Sequence, residues 1–125
     1  MYSLAISKSF TAQHYLIGGD WGPENELHSH DYKVEARLSG EHLNEHGYLV
    51  DIVQFEAVLS AIVDHYREKT LNDQAEFEGL NPSIEHFARI IAQTIGGHLQ
   101  APNLDSLEVR LWEDDIAWAA FRRDI

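Results

Sequence analysis

Hydrophobic and polar residues alternate near both ends of the chain, and they recur at helical spacing in between. From Tyr2 to Tyr15 most alternate positions are apolar, and from Asp31 to Gly40 apolar and polar residues alternate, as they do in half-buried strands. The alternation returns from Leu107 to Leu111. After a turn at Asp114-Asp115, the apolar segment from Ile116 to Phe121 is expected to return beside it as a hairpin. These four segments are predicted to form strands.

Two amphipathic helices are predicted between the strand pairs. The first follows Asp51, an N-cap with Gln54 in the capping-box position, and the second follows Ser83 and is expected to stop at Gly96-Gly97. Both carry apolar stripes at three- and four-residue steps, Phe55 to Tyr66 and Ile84 to Ile95. The order ββααββ predicts one α+β domain over residues 1–125. We expect an antiparallel four-stranded sheet with both helices on one face.

Three histidines fall where the first two strands are expected to meet. His28 and His30 are two residues apart, so within a strand both imidazoles point to one face. His14 lies near the end of the first strand, and antiparallel pairing brings it to the same face. Three neutral imidazoles suit a zinc ion and leave its fourth position open for water or substrate. The alternative from spacing alone is an ordinary polar strand face.

Composition narrows the possible functions. The 125 residues contain no cysteine, which excludes disulfides and thiolate–zinc sites. Nine basic and twenty-one acidic residues give a net charge of −12, which argues against binding to nucleic acid or to an anionic membrane. We find neither an apolar run long enough to span a bilayer nor a secretory signal, so we expect a cytoplasmic protein.

Five short segments stand in a distinctive order along the chain: FTAQH (Phe10–His14), HSHDY (His28–Tyr32), GYLVD (Gly47–Asp51), LN with NPSIE (Leu71-Asn72 and Asn81–Glu85), and WE (Trp112-Glu113). Together they resemble the 6-pyruvoyl-tetrahydropterin synthase and 6-carboxytetrahydropterin synthase family, zinc enzymes of the tunnelling fold. The resemblance covers most of the chain, from about Phe10 to Glu113.

The resemblance implies roles for particular residues. His14, His28 and His30 would be the zinc ligands, and Glu113 would anchor the pterin substrate. A carboxylate suits that second role, because it can accept hydrogen bonds from a ring N–H and an adjacent amine together. The family also implies a homo-oligomer, a hexamer. Without the family resemblance, Glu113 would be interpreted as an ordinary surface charge at the end of a strand.

The departures from the family pattern concern catalysis. Where members carry a catalytic cysteine, four residues before His28, this chain has Glu24. That substitution resembles the type III branch, for which the family implies side-chain cleavage of 7,8-dihydroneopterin triphosphate to 6-hydroxymethyl-7,8-dihydropterin. The family's aspartate–histidine pair is offered by Asp64-His65, but an ungapped match puts Arg67-Glu68 there instead.

Two functions remain as hypotheses of different classes. The first is a zinc-dependent lyase acting on dihydroneopterin triphosphate, with Glu24 and His65 as catalytic residues. The second is a catalytically reduced, zinc-containing protein that binds a pterin or purine. A third reading, a zinc protein with no pterin link, leaves Glu113 without a role. Turnover of the triphosphate separates the first two hypotheses, because a binding protein would show affinity without product.

Overall fold

Four long strands form one antiparallel sheet in the computed structural model, which describes all residues from 1 to 125. The sheet order follows the chain, β1-β2-β3-β4, and every neighbouring pair is antiparallel. The bounds are β1 Tyr2–His14, β2 His28–Gly40, β3 Ser106–Trp112 and β4 Trp118–Asp124. The predicted α+β class, with a four-stranded antiparallel sheet and two helices, is therefore confirmed.

Two fifteen-residue helices cover one face of the sheet, α1 over Ile52–Tyr66 and α2 over Ile84–His98. Both predicted N-caps are present, because the Asp51 carboxylate accepts from the Val53 N–H and the Ser83 hydroxyl from the His86 N–H. α1 packs mainly against β1, and α2 packs against β3 and β4. Neither helix has the length and apolar character needed to cross a bilayer.

Phe87 of α2 lies at the centre of the core and is completely buried. Its ring meets four other aromatic rings edge-on, with centroid separations from 4.9 to 6.0 Å: those of Phe10, Tyr32, Tyr66 and Phe77. Edge-to-face contacts of this kind stabilise beyond the area that they bury. Because Phe10 and Tyr32 pair across β1 and β2, this cluster fixes the two strands that carry the histidines.

Two boundaries differ from the sequence prediction. α2 does not stop at Gly96-Gly97 but continues to His98. A Cβ at Gly96 would lie 2.6 Å from Nη1 of Arg123, so this glycine leaves room for the Arg123 guanidinium against the helix and does not end the helix. β4 begins at Trp118 and not at Ile116, because the Asp114 carboxylate accepts hydrogen bonds from two following backbone N–H groups and extends the turn.

The outer face of the sheet is polar, and both of its edges are largely open. Side chains that alternate with the core residues along β2 include Lys33, Glu35 and Arg37, which are exposed or half-buried. β1 and β4 each pair with one strand only, apart from a single bridge between Gln13 and Thr70. Open strand edges are sites where further chains can pair.

Candidate metal centre

The strand register brings the three histidines together at one end of the sheet. His14 is directly opposite His28, and His30 is opposite Ala12, two positions along β1 from His14. All three imidazoles point to the helix-covered side, and their ring centroids are 4.6 to 4.9 Å apart. The predicted convergence of the three side chains is present in the fold.

Two backbone carbonyls set the orientation of two of the rings. Nδ1 of His14 lies 2.9 Å from the carbonyl oxygen of Pro82, and Nδ1 of His28 lies 2.7 Å from that of Glu26. Because a carbonyl oxygen only accepts, each Nδ1 carries the proton and donates it. In a neutral imidazole this leaves Nε2 with a free lone pair. Metal-binding histidines are commonly held by such a bond on the other ring nitrogen.

His14 presents its free nitrogen in a buried position. The residue is 2% exposed, and its Nε2 has no hydrogen-bond partner. Burial lowers the pKa of His14 to about 4, so the ring is neutral at pH 7. The hydroxyl of Tyr32 lies 3.3 Å from Nδ1 of His14, the same ring nitrogen that contacts the Pro82 carbonyl. A buried lone pair aimed at two further imidazoles is the arrangement that a metal ion would satisfy.

We expect the buried His14 to make the metal-free protein sensitive to mild acid. Its pKa is lower in the folded chain than the ordinary value of 6.5, so the unfolded state binds more protons in that range. The contribution of His14 to stability is therefore fully present above about pH 6.5 and is lost as the pH falls towards about 4. We expect the free energy of unfolding to fall by about 2 kcal/mol between pH 7 and pH 5. Urea unfolding of the protein at the two pH values, with a chelator present to keep it metal-free, measures this loss.

The matched control is His14→Asn, whose amide offers a donor for the Pro82 carbonyl but does not titrate. Between the two pH values, the free energy of unfolding of the variant should change much less than that of the parent, because most of the loss of about 2 kcal/mol comes from His14. Equal pH dependence in the two proteins would show that His14 is not the group responsible.

Two carboxylates flank the histidines at different distances. Oε2 of Glu24 is 2.9 Å from Nε2 of His28, and the ligand atoms of Glu24 and the three histidines all lie within 4.8 Å of one another. Oε2 of Glu113 is farther away, 4.0 Å from Nε2 of His30. Burial raises the pKa of Glu113, and neighbouring carboxylates raise it further, while His30 opposes the change. Glu24 thus belongs to the cluster, and Glu113 lies beside it.

The chain before β2 holds Glu24 in position through Asn25. Glu24 lies on a short 3-10 turn, Gly22–Asn25, and its backbone carbonyl accepts from the Leu16 N–H. The amide of Asn25 donates to the carbonyls of Leu16 and Gly19 and accepts from the Trp21 N–H. Asn25 is not among the residues predicted from the sequence. The signal was an asparagine in a Gly- and Pro-containing loop, where its side chain commonly replaces backbone partners.

His65 lies outside this cluster within one chain. It occupies the last turn of α1, and its Nε2 is 3.5 Å from the carboxylate of Glu76. α1 ends at Tyr66, and the next residues run beside β1, where the Glu68 N–H donates to the Thr11 carbonyl. Neither Asp64-His65 nor Arg67-Glu68 joins the four groups that converge. The catalytic assignment of His65 stays a prediction.

The fold, an antiparallel sheet with two helices on one face, is that of an α+β protein. Its candidate metal centre consists of three converging histidines on the first two strands and a glutamate from the loop between those strands. The chain belongs to the 6-pyruvoyl tetrahydropterin synthase family, whose model matches residues 3–124. This confirms the resemblance drawn from the five segments. A relative from Bacillus subtilis (strain 168), 6-carboxy-5,6,7,8-tetrahydropterin synthase, is 28% identical over 109 residues, which are 86% of this chain and 72% of that protein.

Solved structures share the fold along nearly the whole chain. The 6-pyruvoyl tetrahydropterin synthase of Caenorhabditis elegans matches with a TM-score of 0.82 at 19% identity, covering 98% of this chain and 95% of that one. The Plasmodium vivax 6-pyruvoyl tetrahydropterin synthase matches with a TM-score of 0.81 at 16% identity, covering 99% and 98%. Variants of the Plasmodium vivax protein, in which a catalytic glutamate is replaced by cysteine or alanine, match equally well.

Proposed function

We propose that this protein is a zinc-dependent lyase that acts on the three-carbon side chain of 7,8-dihydroneopterin triphosphate. The observation that carries the proposal is a carboxylate, Glu24, 2.9 Å from a histidine of the cluster in a chain without cysteine. The Plasmodium vivax relative, whose catalytic residue is a glutamate, supports the same choice of base. The Bacillus subtilis relative supports a pterin as the substrate class.

In this reaction Glu113 binds the pterin and Glu24 moves a proton. The ionised Glu113 accepts hydrogen bonds from the ring N–H and the exocyclic amine, which fixes the ring and directs its side chain towards the histidines. Glu24, at the other side of the cluster, accepts the proton that leaves the side chain before a carbon–carbon or carbon–oxygen bond breaks. A zinc ion held by His14, His28 and His30 would polarise the side-chain oxygen atoms and make that proton more acidic.

The experiment that tests the function is product analysis. Purified zinc-loaded protein is incubated with dihydroneopterin triphosphate, and the products are identified by mass spectrometry. The type III resemblance leads us to expect 6-hydroxymethyl-7,8-dihydropterin. Recovery of unchanged substrate after prolonged incubation would contradict the lyase proposal.

A second candidate, a pterin-binding protein with little catalysis, is favoured by the charges around Glu113. Apart from His30, the charged groups that affect its pKa are three carboxylates, those of Asp114, Glu24 and Glu85. No lysine or arginine is among them, and the whole chain carries a charge of −12. A triphosphate would meet repulsion here unless another subunit supplies basic groups. Tight pterin binding without product would favour this candidate.

We expect the protein to act as a homo-oligomer, as the open edges of β1 and β4 and the family suggest. His65 lies outside the four-group cluster of its own chain, so a role for it in the reaction would need a second copy to bring it to the centre. Light scattering at micromolar concentration should give a mass several times that of the 14.3 kDa chain, a hexamer by family resemblance. A monomeric mass would contradict this part of the proposal.

A further inference from the structure

We propose that Glu24 is the fourth ligand of the metal in the substrate-free protein. The residue that serves as the base is then held on the metal until a substrate displaces it. This inference deepens the proposed function and rests on it only for the role of Glu24 as base. The ligand role itself rests on the geometry of the cluster.

The distances within the cluster suit a ligand set of four. Bonds of about 2.0–2.1 Å in a tetrahedral zinc site put neighbouring ligand atoms roughly 3.3 Å apart. Here Oε2 of Glu24 is 2.9 Å from Nε2 of His28, which in turn is 3.1 Å from Nε2 of His30. The four ligand atoms, with that of His14, all lie within 4.8 Å of one another, so the widest separation would have to close by no more than about 1.5 Å for all four to bind one ion. Glu113 is not part of the set, so the structure distinguishes the two carboxylates.

The hydrogen bonds around His28 give a reason for a cation at this point. Its Nδ1 donates to the Glu26 carbonyl, so the neutral ring points a lone pair at the Glu24 carboxylate. Two lone pairs at 2.9 Å repel unless a proton or a metal ion lies between them. A proton shared by His28 and Glu24 would leave Nε2 of His14 without a partner. A metal ion binds both groups, together with the unpartnered Nε2 of His14.

The backbone presents Glu24 to the cluster without a large rearrangement. Its carbonyl is bonded to the Leu16 N–H, and the next residue, Asn25, is bonded to three backbone groups of the same loop. A ligand on a fixed turn loses less conformational entropy when it binds than one on a free loop. The side chain of Glu24 is half-exposed, so its carboxylate can still move away while the turn stays in place.

Two properties of the site follow from this arrangement. With a metal ion held by the three histidines and Glu24, the carboxylate would share a lone pair with it and would be a weak proton acceptor. A pterin side chain with two hydroxyl groups would offer competing oxygen ligands, and Glu24 would then be a free carboxylate beside them. The base is therefore released only when a substrate is present, which limits proton transfer to other molecules.

The test compares Glu24→Gln with Glu26→Gln, which removes a charge two residues away and keeps the carbonyl that accepts from His28. Zinc affinity is measured by competition with a chromogenic chelator, and ligand geometry by the visible absorption of the cobalt(II)-substituted proteins. We expect Glu24→Gln to weaken zinc binding by about 10-fold or more and to change the cobalt spectrum. Glu26→Gln should match the parent in both. Addition of 7,8-dihydroneopterin to the parent should also change its cobalt spectrum.

The outcomes separate this inference from the proposed function, because neither readout needs turnover. If Glu24→Gln keeps the parent's zinc affinity and cobalt spectrum, Glu24 is not a ligand and the inference is overturned, even where turnover falls. If both readouts change but the parent forms no product from dihydroneopterin triphosphate, the fourth ligand stands and the lyase proposal fails. Circular dichroism of Glu24→Gln checks that this half-exposed substitution leaves the fold intact.

Discussion

Glu24→Gln should lower the turnover of dihydroneopterin triphosphate by roughly 100-fold or more. Glutamine keeps the size and polarity of the side chain but cannot accept a proton at neutral pH. Turnover should be measured at saturating zinc, so that weaker metal binding does not contribute to the loss. Pterin binding, measured by fluorescence, should be nearly unchanged, because Glu113 and not Glu24 binds the ring.

Glu26→Gln is again the matched control, since it removes the same charge from the same loop. Its turnover should stay within about twofold of the parent's, because its exposed side chain is not part of the four-group cluster. If Glu26→Gln loses activity while Glu24→Gln keeps the full rate, we have chosen the wrong carboxylate. If both keep the rate, the binding-protein candidate becomes the better account.

His30→Ala should remove most of the bound zinc, which we expect at about one ion per chain in the parent. The substitution deletes one of three imidazoles and leaves two nitrogen ligands, too few for a tight zinc site even with Glu24 present. The metal is measured by mass spectrometry of protein dialysed against a weak chelator. The loss of bound zinc should be larger than in Glu24→Gln, because His30→Ala removes an imidazole ligand that β2 holds in place.

His46→Ala tests whether the loss is specific. His46 lies in an exposed loop beside Glu45 and is not part of the cluster, so its removal should leave the zinc content unchanged. A zinc content of His30→Ala equal to the parent's would mean that the metal site is wrong. Equal losses in both variants would point to non-specific binding by surface histidines.

Much of the fold was predictable because local pattern and global packing agree. The two-residue spacing of His28 and His30 places both side chains on one face of any strand. His14 follows the alternating positions of the first strand, and in the antiparallel pair it lies opposite His28 on that same face. The caps Asp51 and Ser83 were recognisable because each acts on backbone groups a few residues away.

The features that were not predictable depend on contacts between distant segments. Gly96 reads as a helix stop, yet it faces Arg123 of a strand far along the chain, and no local pattern contains that contact. The Pro82 carbonyl that orients His14 lies 68 residues away from it. The distance of Glu24 from His28 depends on the loop that Asn25 holds, and loop conformation is determined by specific side-chain bonds and not by periodicity.

Because the two ring nitrogens of His14 contact different parts of the fold, metal binding at this residue would couple the stability of the folded chain to the free metal concentration. One ring nitrogen donates to the carbonyl of Pro82, two residues before the start of α2, and the other faces the cluster formed with β2. A metal ion that binds only this assembled arrangement adds to the folding free energy by mass action, about 2.7 kcal/mol when its free concentration is a hundred times the dissociation constant. The melting temperature of the protein would then report the free zinc concentration around it, and its lifetime in a cell would follow that concentration.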